Sequence, residues 1–290
     1  MQRIAAIPLR GPSGEPIDFA RTIESHGCTS LPPAVDGANL QRYRYRLRIG
    51  NSIRTLQFEG RDGNLIVSCD RPLSDSQERR VLQTVHRMFR LDEDFSPFYD
   101  AIRDDPDLAW ASNGAGRLLA SPTVFEDVVK TICTTNCAWS GTVRMVGALV
   151  EHVGGGAFPT PTQMVKAPLD FYSNVARAGY RGAYLRTLAE GVATKRIDLE
   201  SLRPTNGITD EEAEERLLEL PGVGPYACAH IMLLLGRYGK LVFDSWTRPK
   251  YLKVSGKRRA ADKTIERRFK RYGRFAGLAF WLLLTRDWLD

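Results

Sequence analysis

Between residues 42 and 70 polar and apolar positions alternate. "RYRYRLRI" sets Tyr43, Tyr45, Leu47 and Ile49 against four arginines, and "IRTLQFE" and "NLIVSCD" follow in the same manner. The breaks "GNS" and "GRDGN" are turn material. This pattern predicts an antiparallel sheet with one wet face. The period then lengthens. "PLSDSQERRVLQTVHRMFRL" carries Leu82, Val85, Met88 and Phe89 at helical spacing. Beyond residue 90 no strand is expected. "TVFEDVVKTICTTNCAW", "SGTVRMVGALVEHV", "LDFYSNVARAG", "RGAYLRTLAEGVA" and "DEEAEERLLEL" are helical by period and composition. "GGGAFPTPTQM" and "SLRPTNGITD" connect them, and Thr209 or Asp210 can cap the helix that follows. The expected fold class is α+β. A small N-terminal region, residues 1–92, holds an antiparallel sheet with helices, and a mainly helical domain fills 93–290, with no internal repeat.

One stretch interrupts the helical rhythm: "LLELPGVGPYACAHIMLLLGRYGKLVFDSWTR", residues 217–248. An apolar helix ends at Leu220, Pro221-Gly222-Val223-Gly224 turns the chain, and a second apolar helix begins at once. Gly222 and Gly224 permit positive φ and leave no Cβ between backbone and ligand. Pro225 suits a first helical position, where its missing N–H costs nothing. The N–H groups there, at the positive end of the helix dipole, make an anion site. A plain glycine turn between two core helices reads the same way, so the turn alone leaves both readings open.

Composition narrows the class. With 290 residues, 43% apolar and 26% charged, the chain is an ordinary globular protein with ample core. No apolar run reaches the ~18 residues of a membrane span, and "MQRIAAIPLRGPSGEP" is too short and proline-broken for a signal peptide. A cytoplasmic setting is expected, nucleoid-associated if the source is bacterial, with Cys28, Cys69, Cys133, Cys137 and Cys228 reduced. The net charge of +7 is uneven. From Ile231 to Asp290 there are 15 Lys/Arg against 5 Asp/Glu, a net +10 that leaves −3 for the first 230 residues. Positive charge gathered in one region suits a polyanion, since neutralising phosphates releases counterions.

The wider pattern decides between the two readings of the turn. "LxxLPGVGxxxA", an apolar helix, then Leu241-Val242-Phe243-Asp244 resembles the helix-hairpin-helix DNA glycosylase superfamily, with Leu217, Leu220, Pro221, Gly222, Val223, Gly224, Ala227, Asp244 and Arg248 matching as they stand. "FEDVVKTICTTNCAWSGTVRMVGALVEHVG" and "ARAGYRGAYLRTLAEGV" look like the corresponding helices of its 8-oxoguanine and 3-methyladenine II branch, so residues 120–250 carry the resemblance.

The resemblance implies that the hairpin Pro221–Gly224 holds DNA phosphate and that Asp244 is catalytic. Cleaving an N-glycosidic bond builds positive charge on the sugar, which a fixed carboxylate stabilises. Helix capping is the alternative duty for Asp244. Tyr226 stands where strand-nicking members carry a lysine, and it offers no amine for a Schiff base. The expected activity is therefore hydrolytic release of a modified base without AP-lyase chemistry. His230, four residues on, shares a helix face with Tyr226, and the two could stack on a flipped base. Trp139, Trp246 and Trp281 are candidate pocket walls. Asn136 corresponds to the asparagine that fills the gap left by an extruded base, and Tyr180 to the aromatic wedge beside it, followed by Arg181. Arg248 and Lys250 complete the candidate DNA-binding set.

The resemblance also suggests a monovalent or calcium ion on the backbone carbonyls of Leu218, Leu220 and Val223, docking phosphate without taking part in chemistry. No cofactor is required, and with no cysteine after Cys228 the superfamily's iron–sulfur cluster is not expected. Cys133 and Cys137 are four apart but lack further ligands. The expected partner is double-stranded DNA containing a modified base, bound by a monomer, with no membrane association. A bifunctional 8-oxoguanine-type glycosylase/lyase and a non-catalytic DNA-binding protein are the alternatives.

Overall fold

The computed structural model describes residues 1–35 and 39–289. Four strands, β1 (Gln2–Pro8), β2 (Arg42–Ile49), β3 (Ser52–Arg61) and β4 (Asn64–Cys69), form one antiparallel sheet in the order β1-β4-β3-β2. Strands β2 to β4 fall where the alternation predicts them. β1 has no such signature, and only its pairing with β4, from Gln2 opposite Cys69 to Pro8 opposite Asn64, defines it. Register puts Tyr43 opposite Phe58 and Tyr45 opposite Leu56, all buried, so Arg42, Arg44, Arg46 and Arg48 take the other face. Helices α1 (Phe19–Ile23) and α2 (Asp75–Phe89) close the inner face. On α2 it is Val81, with Val85, Met88 and Phe89, that turns inward, and Leu82 stays half-buried, a correction of one position to the expected stripe.

The rest is helical: α3 (Ser96–Ile102), α4 (Val124–Thr134), α5 (Trp139–Ala148), α6 (Pro161–Lys166), α7 (Arg181–Ala193), α8 (Asp210–Leu218), α9 (Pro225–Leu235), α10 (Thr247–Val254), α11 (Asp262–Phe269) and α12 (Ala276–Thr285). Among the described residues no strand follows Cys69, and no helix is long and apolar enough to cross a membrane. The helices build two cores that share α9. Ala227, Cys228, Ile231, Met232 and Leu235 pack with α4 to α8, while Ala229, Leu233 and Leu234 pack with α3 and α10 to α12. A helix apolar on every side is what a shared wall requires.

The C-terminal end of α9 is pinned from the sheet region. Arg90, which ends α2 with φ 53°, donates to the carbonyls of Leu233 (3.4 Å) and Leu234. Trp281 Nε1 donates to the Ser25 carbonyl at 2.7 Å, tying α12 to the segment after α1. Lys130 pairs with Glu126 at 2.7 Å, and the Tyr45 hydroxyl donates to the same carboxylate. These contacts tie α4, α9 and α12 to the N-terminal region that carries the sheet.

Candidate active site

The turn between α8 and α9 is held from inside by Leu220 and Val223, both buried, and the Val223 N–H donates to the Leu220 carbonyl at 3.1 Å. Its two glycines differ. Gly222 has φ 81°, and a Cβ on it would lie 2.8 Å from the Tyr184 ring. Gly224 is extended (φ −99°, ψ −175°), so the positive φ expected of both glycines holds only for the first. A Cβ at Gly224 would meet no protein atom within 4 Å. Nothing inside the protein asks for glycine there. The position opens to solvent at the start of α9, where Pro225 takes the first turn and the N-cap residue, Gly224, has no side chain to cap it.

Asp244 follows α9 through a short loop and is half-buried. Its Oδ1 accepts the N–H groups of Trp246 (2.8 Å) and Thr247 (2.6 Å), and its own N–H donates to Thr247 Oγ1 at 2.9 Å. Of the two duties foreseen for this residue, the capping one is observed. The capping bonds that open α10 fix one carboxylate oxygen, while Oδ2 has no hydrogen-bond partner among the described residues. A carboxylate so held needs no reorganisation when positive charge develops beside it.

Four of the five candidate pocket residues meet. Ring centroids separate Tyr226 from His230 by 6.1 Å, His230 from Trp281 by 5.6 Å, and Trp281 from Trp246 by 5.7 Å. Trp139 opens α5 instead, 45% exposed and with no ring contact to this group among the described residues. Two further residues join. Trp288 lies 5.7 Å from Trp246, and its spacing of seven from Trp281 is a helical signal that could have marked it. His26 lies 6.1 Å from His230 and comes from a loop far away in sequence, with no local pattern to flag it. The Tyr226 hydroxyl shares a hydrogen bond with Thr134 Oγ1 at 3.2 Å, which ties α9 to α4.

Burial pushes the His230 imidazole down to about 4, against the opposing pull of the Asp244 charge. Burial and the neighbouring His230 hold His26 well below its usual value. Both rings are therefore neutral at pH 7. His230 Nδ1 is buried without a hydrogen-bond partner among the described residues, beside a cavity of about 30 Å³ lined by His26, Lys130 and Thr134.

Asn136 and Tyr180, distant in sequence, come together: Asn136, at φ 45°, donates from Nδ2 to the Tyr180 hydroxyl at 3.2 Å. Tyr180 is 54% exposed. Arg181 is only 7% exposed. It covers the Tyr180 ring at 4.5 Å and gives Nε to the Thr135 carbonyl at 2.9 Å, so it shapes the loop that presents Asn136. Arg248 forms a two-point pair with Asp262 (3.0 and 2.8 Å), and Lys250 pairs with Asp287 at 2.6 Å. Both cations are thus engaged largely within the protein. Exposed cations nearby include Lys253, Lys257, Arg258, Arg259 and Lys263, the last beside Asp262, which pairs with Arg248 of α10; none of the five has an ion pair among the described residues.

No protein-family profile matches the chain. It is 28% identical over 260 residues to a probable N-glycosylase/DNA lyase of Methanothermobacter thermautotrophicus, covering 78% of each chain. Its fold is similar to that of the 3-methyladenine DNA glycosylase from Archaeoglobus fulgidus (TM-score 0.72, 20% identity, 100% of this chain and 99% of that one). It is also similar to the Clostridium acetobutylicum 8-oxoguanine glycosylase/lyase in complex with double-stranded DNA containing cytosine opposite 8-oxoguanine (TM-score 0.68, 19% identity, 90% of each chain). In sequence and in fold the chain is thus similar to DNA glycosylases.

Proposed function

We propose that the protein is a monofunctional DNA glycosylase, which extrudes a modified base from duplex DNA and hydrolyses its N-glycosidic bond. The observation that carries this reading is Asp244, with one oxygen fixed, the other free, and an aromatic group around His230 and Trp281 beside it. In the reaction the bond between C1′ and the base nitrogen breaks, and its electron pair leaves with the base. Positive charge spreads over C1′ and the ring oxygen, and the Asp244 carboxylate stabilises it. Water then adds at C1′ and loses a proton, leaving an abasic site. A pure DNA-binding protein gains nothing from a carboxylate held near phosphates, which it would repel.

Tyr226 limits the chemistry to hydrolysis, because a phenol cannot form a Schiff base with C1′. Lys130, the buried amine beside the His230 cavity, is engaged with Glu126. Phosphates approach the open start of α9 at Gly224, and Lys257, Arg258, Arg259 and Lys263 extend the cationic surface. The carbonyls of Leu218, Leu220 and Val223 are hard oxygen donors that would hold a monovalent or calcium ion, and such an ion would supply positive charge for phosphate docking.

The test uses duplexes carrying a panel of modified bases, cleaved at abasic sites with hot alkali. The wild-type protein releases at least one base, and Asp244→Asn slows release by about a hundredfold or more at unchanged DNA affinity. A near-normal rate in that variant overturns the assignment. Borohydride treatment during turnover yields no protein–DNA adduct, and a robust adduct would establish the glycosylase/lyase alternative.

A further inference from the structure

The strand-opening pair and the hairpin meet through a single aromatic residue. Tyr184 lies four residues after Tyr180 on α7, so both rings share one helix face. The two rings stand edge-on, with centroids 5.9 Å apart and planes at 73°. The other side of Tyr184 lies on Gly222, where a Cβ would come within 2.8 Å of Cδ2 and 3.1 Å of Cβ and Cγ. Gly222 therefore answers two needs, its own φ of 81° and the approach of this ring. Yet Tyr184 is 40% exposed, and its hydroxyl has no hydrogen-bond partner among the described residues. A ring placed only to fill the interior would be covered. With the Asn136–Tyr180 bond of 3.2 Å, a continuous line runs from the end of α4 through Tyr180 and Tyr184 to the turn before α9.

We propose that Tyr184 is a positioning residue that couples the Asn136–Tyr180 pair to the phosphate-holding hairpin. Seating the hairpin on the strand sets the height at which Tyr180 enters the base stack. Without the Tyr184 ring, Tyr180 keeps its chemistry but loses the fixed support that turns phosphate contact into base extrusion. This rests on the glycosylase reading above, with duplex DNA as the partner.

The experiment places 2-aminopurine beside the modified base in a duplex and follows its fluorescence as the stack opens. Binding to an undamaged duplex is measured in parallel. Tyr184→Ala lowers the rate of opening about tenfold, a loss within the few kcal/mol that extrusion requires, and shifts affinity for undamaged DNA by less than about threefold. Tyr184→Phe restores opening, because the ring does the coupling. Tyr180→Ala/Tyr184→Ala is no slower than Tyr180→Ala alone, as expected of a residue that acts through another. The proposal is overturned by normal opening in Tyr184→Ala, by equal losses on damaged and undamaged DNA, or by losses that multiply in the double variant. Should Tyr184→Ala fold poorly, Tyr184→Leu against Tyr184→Phe makes the same comparison at similar bulk. A wild-type protein that opens no duplex and releases no base would sink the glycosylase reading itself. Normal wild-type opening matched by Tyr184→Ala sinks only the coupling.

Discussion

The hairpin face and the Asp244 pocket are built to opposite specifications. On the hairpin face the decisive atoms have few internal duties: a Cβ on Gly224 would meet nothing within 4 Å, and Tyr180 and Tyr184 are 54% and 40% exposed. In the pocket nearly every group is held by the protein. Asp244 is fixed by two N–H groups, Tyr226 is tied to Thr134, and the Trp281 indole is tied to Ser25. Under the proposed function the contrast has a reason: a surface that accepts a long, variable polymer is left open, whereas a charge that acts on a developing cation is fixed beforehand. The two regions are therefore separable by mutation, and each prediction tests that separation.

The largest effect is expected from the pair Asp244→Asn and Gly224→Ala. The first costs about a hundredfold in base release and leaves affinity unchanged. The second leaves folding unchanged, since its extended backbone suits any residue, and weakens DNA binding about tenfold by standing between helix and phosphate. Filter binding and single-turnover release distinguish them, and loss of both properties in either variant breaks the comparison. Gly222→Ala sharpens it. Strain at positive φ and the contact with Tyr184 should lower stability by about 1–3 kcal/mol, read from thermal melts, where Gly224→Ala lowers it hardly at all.

Acid separates the regions next. The folded-state value of His230, about 4, lies below its usual 6.5, so the unfolded chain takes up the proton more readily. Its contribution to stability is complete above the unfolded value and is lost as pH falls from about 6.5 toward 4. His230→Gln should flatten this acid limb in denaturation curves, and an unchanged limb would contradict the buried neutral ring. The smallest effect belongs to the outer surface. Arg258→Gln/Arg259→Gln should leave stability alone and reduce the slope of log affinity against log salt by about two, one for each phosphate that an arginine no longer neutralises.

Much of this was legible beforehand. Periods of two and of three to four residues marked β2 to β4, α2, α4, α5 and α7 to α9, because those preferences act between near neighbours; α1 and α3 went unmarked, and α6 lies partly in "GGGAFPTPTQM", read as a connection. The Leu217–Gly224 turn, Pro225, Asp244, and the Asn136–Tyr180 correspondence were equally local or motif-borne. Several features had no local signature: β1, defined by its partner strand alone; His26 against His230; and Tyr184 resting on Gly222. The tertiary structure also redirected residues whose type suggested something else. Arg181 turned inward to the Thr135 carbonyl, Arg248 and Lys250 to Asp262 and Asp287, and Trp139 away from the other rings. A long cationic side chain reaches carboxylates or carbonyls in many directions, and only the packed fold decides which of them lies within about 3 Å. For Asp244 the sequence determined that a carboxylate would follow the shared helix. The tertiary structure alone decided that one oxygen is fixed and that the other has no partner among the described residues, because the start of α10 places the Trp246 and Thr247 N–H groups there.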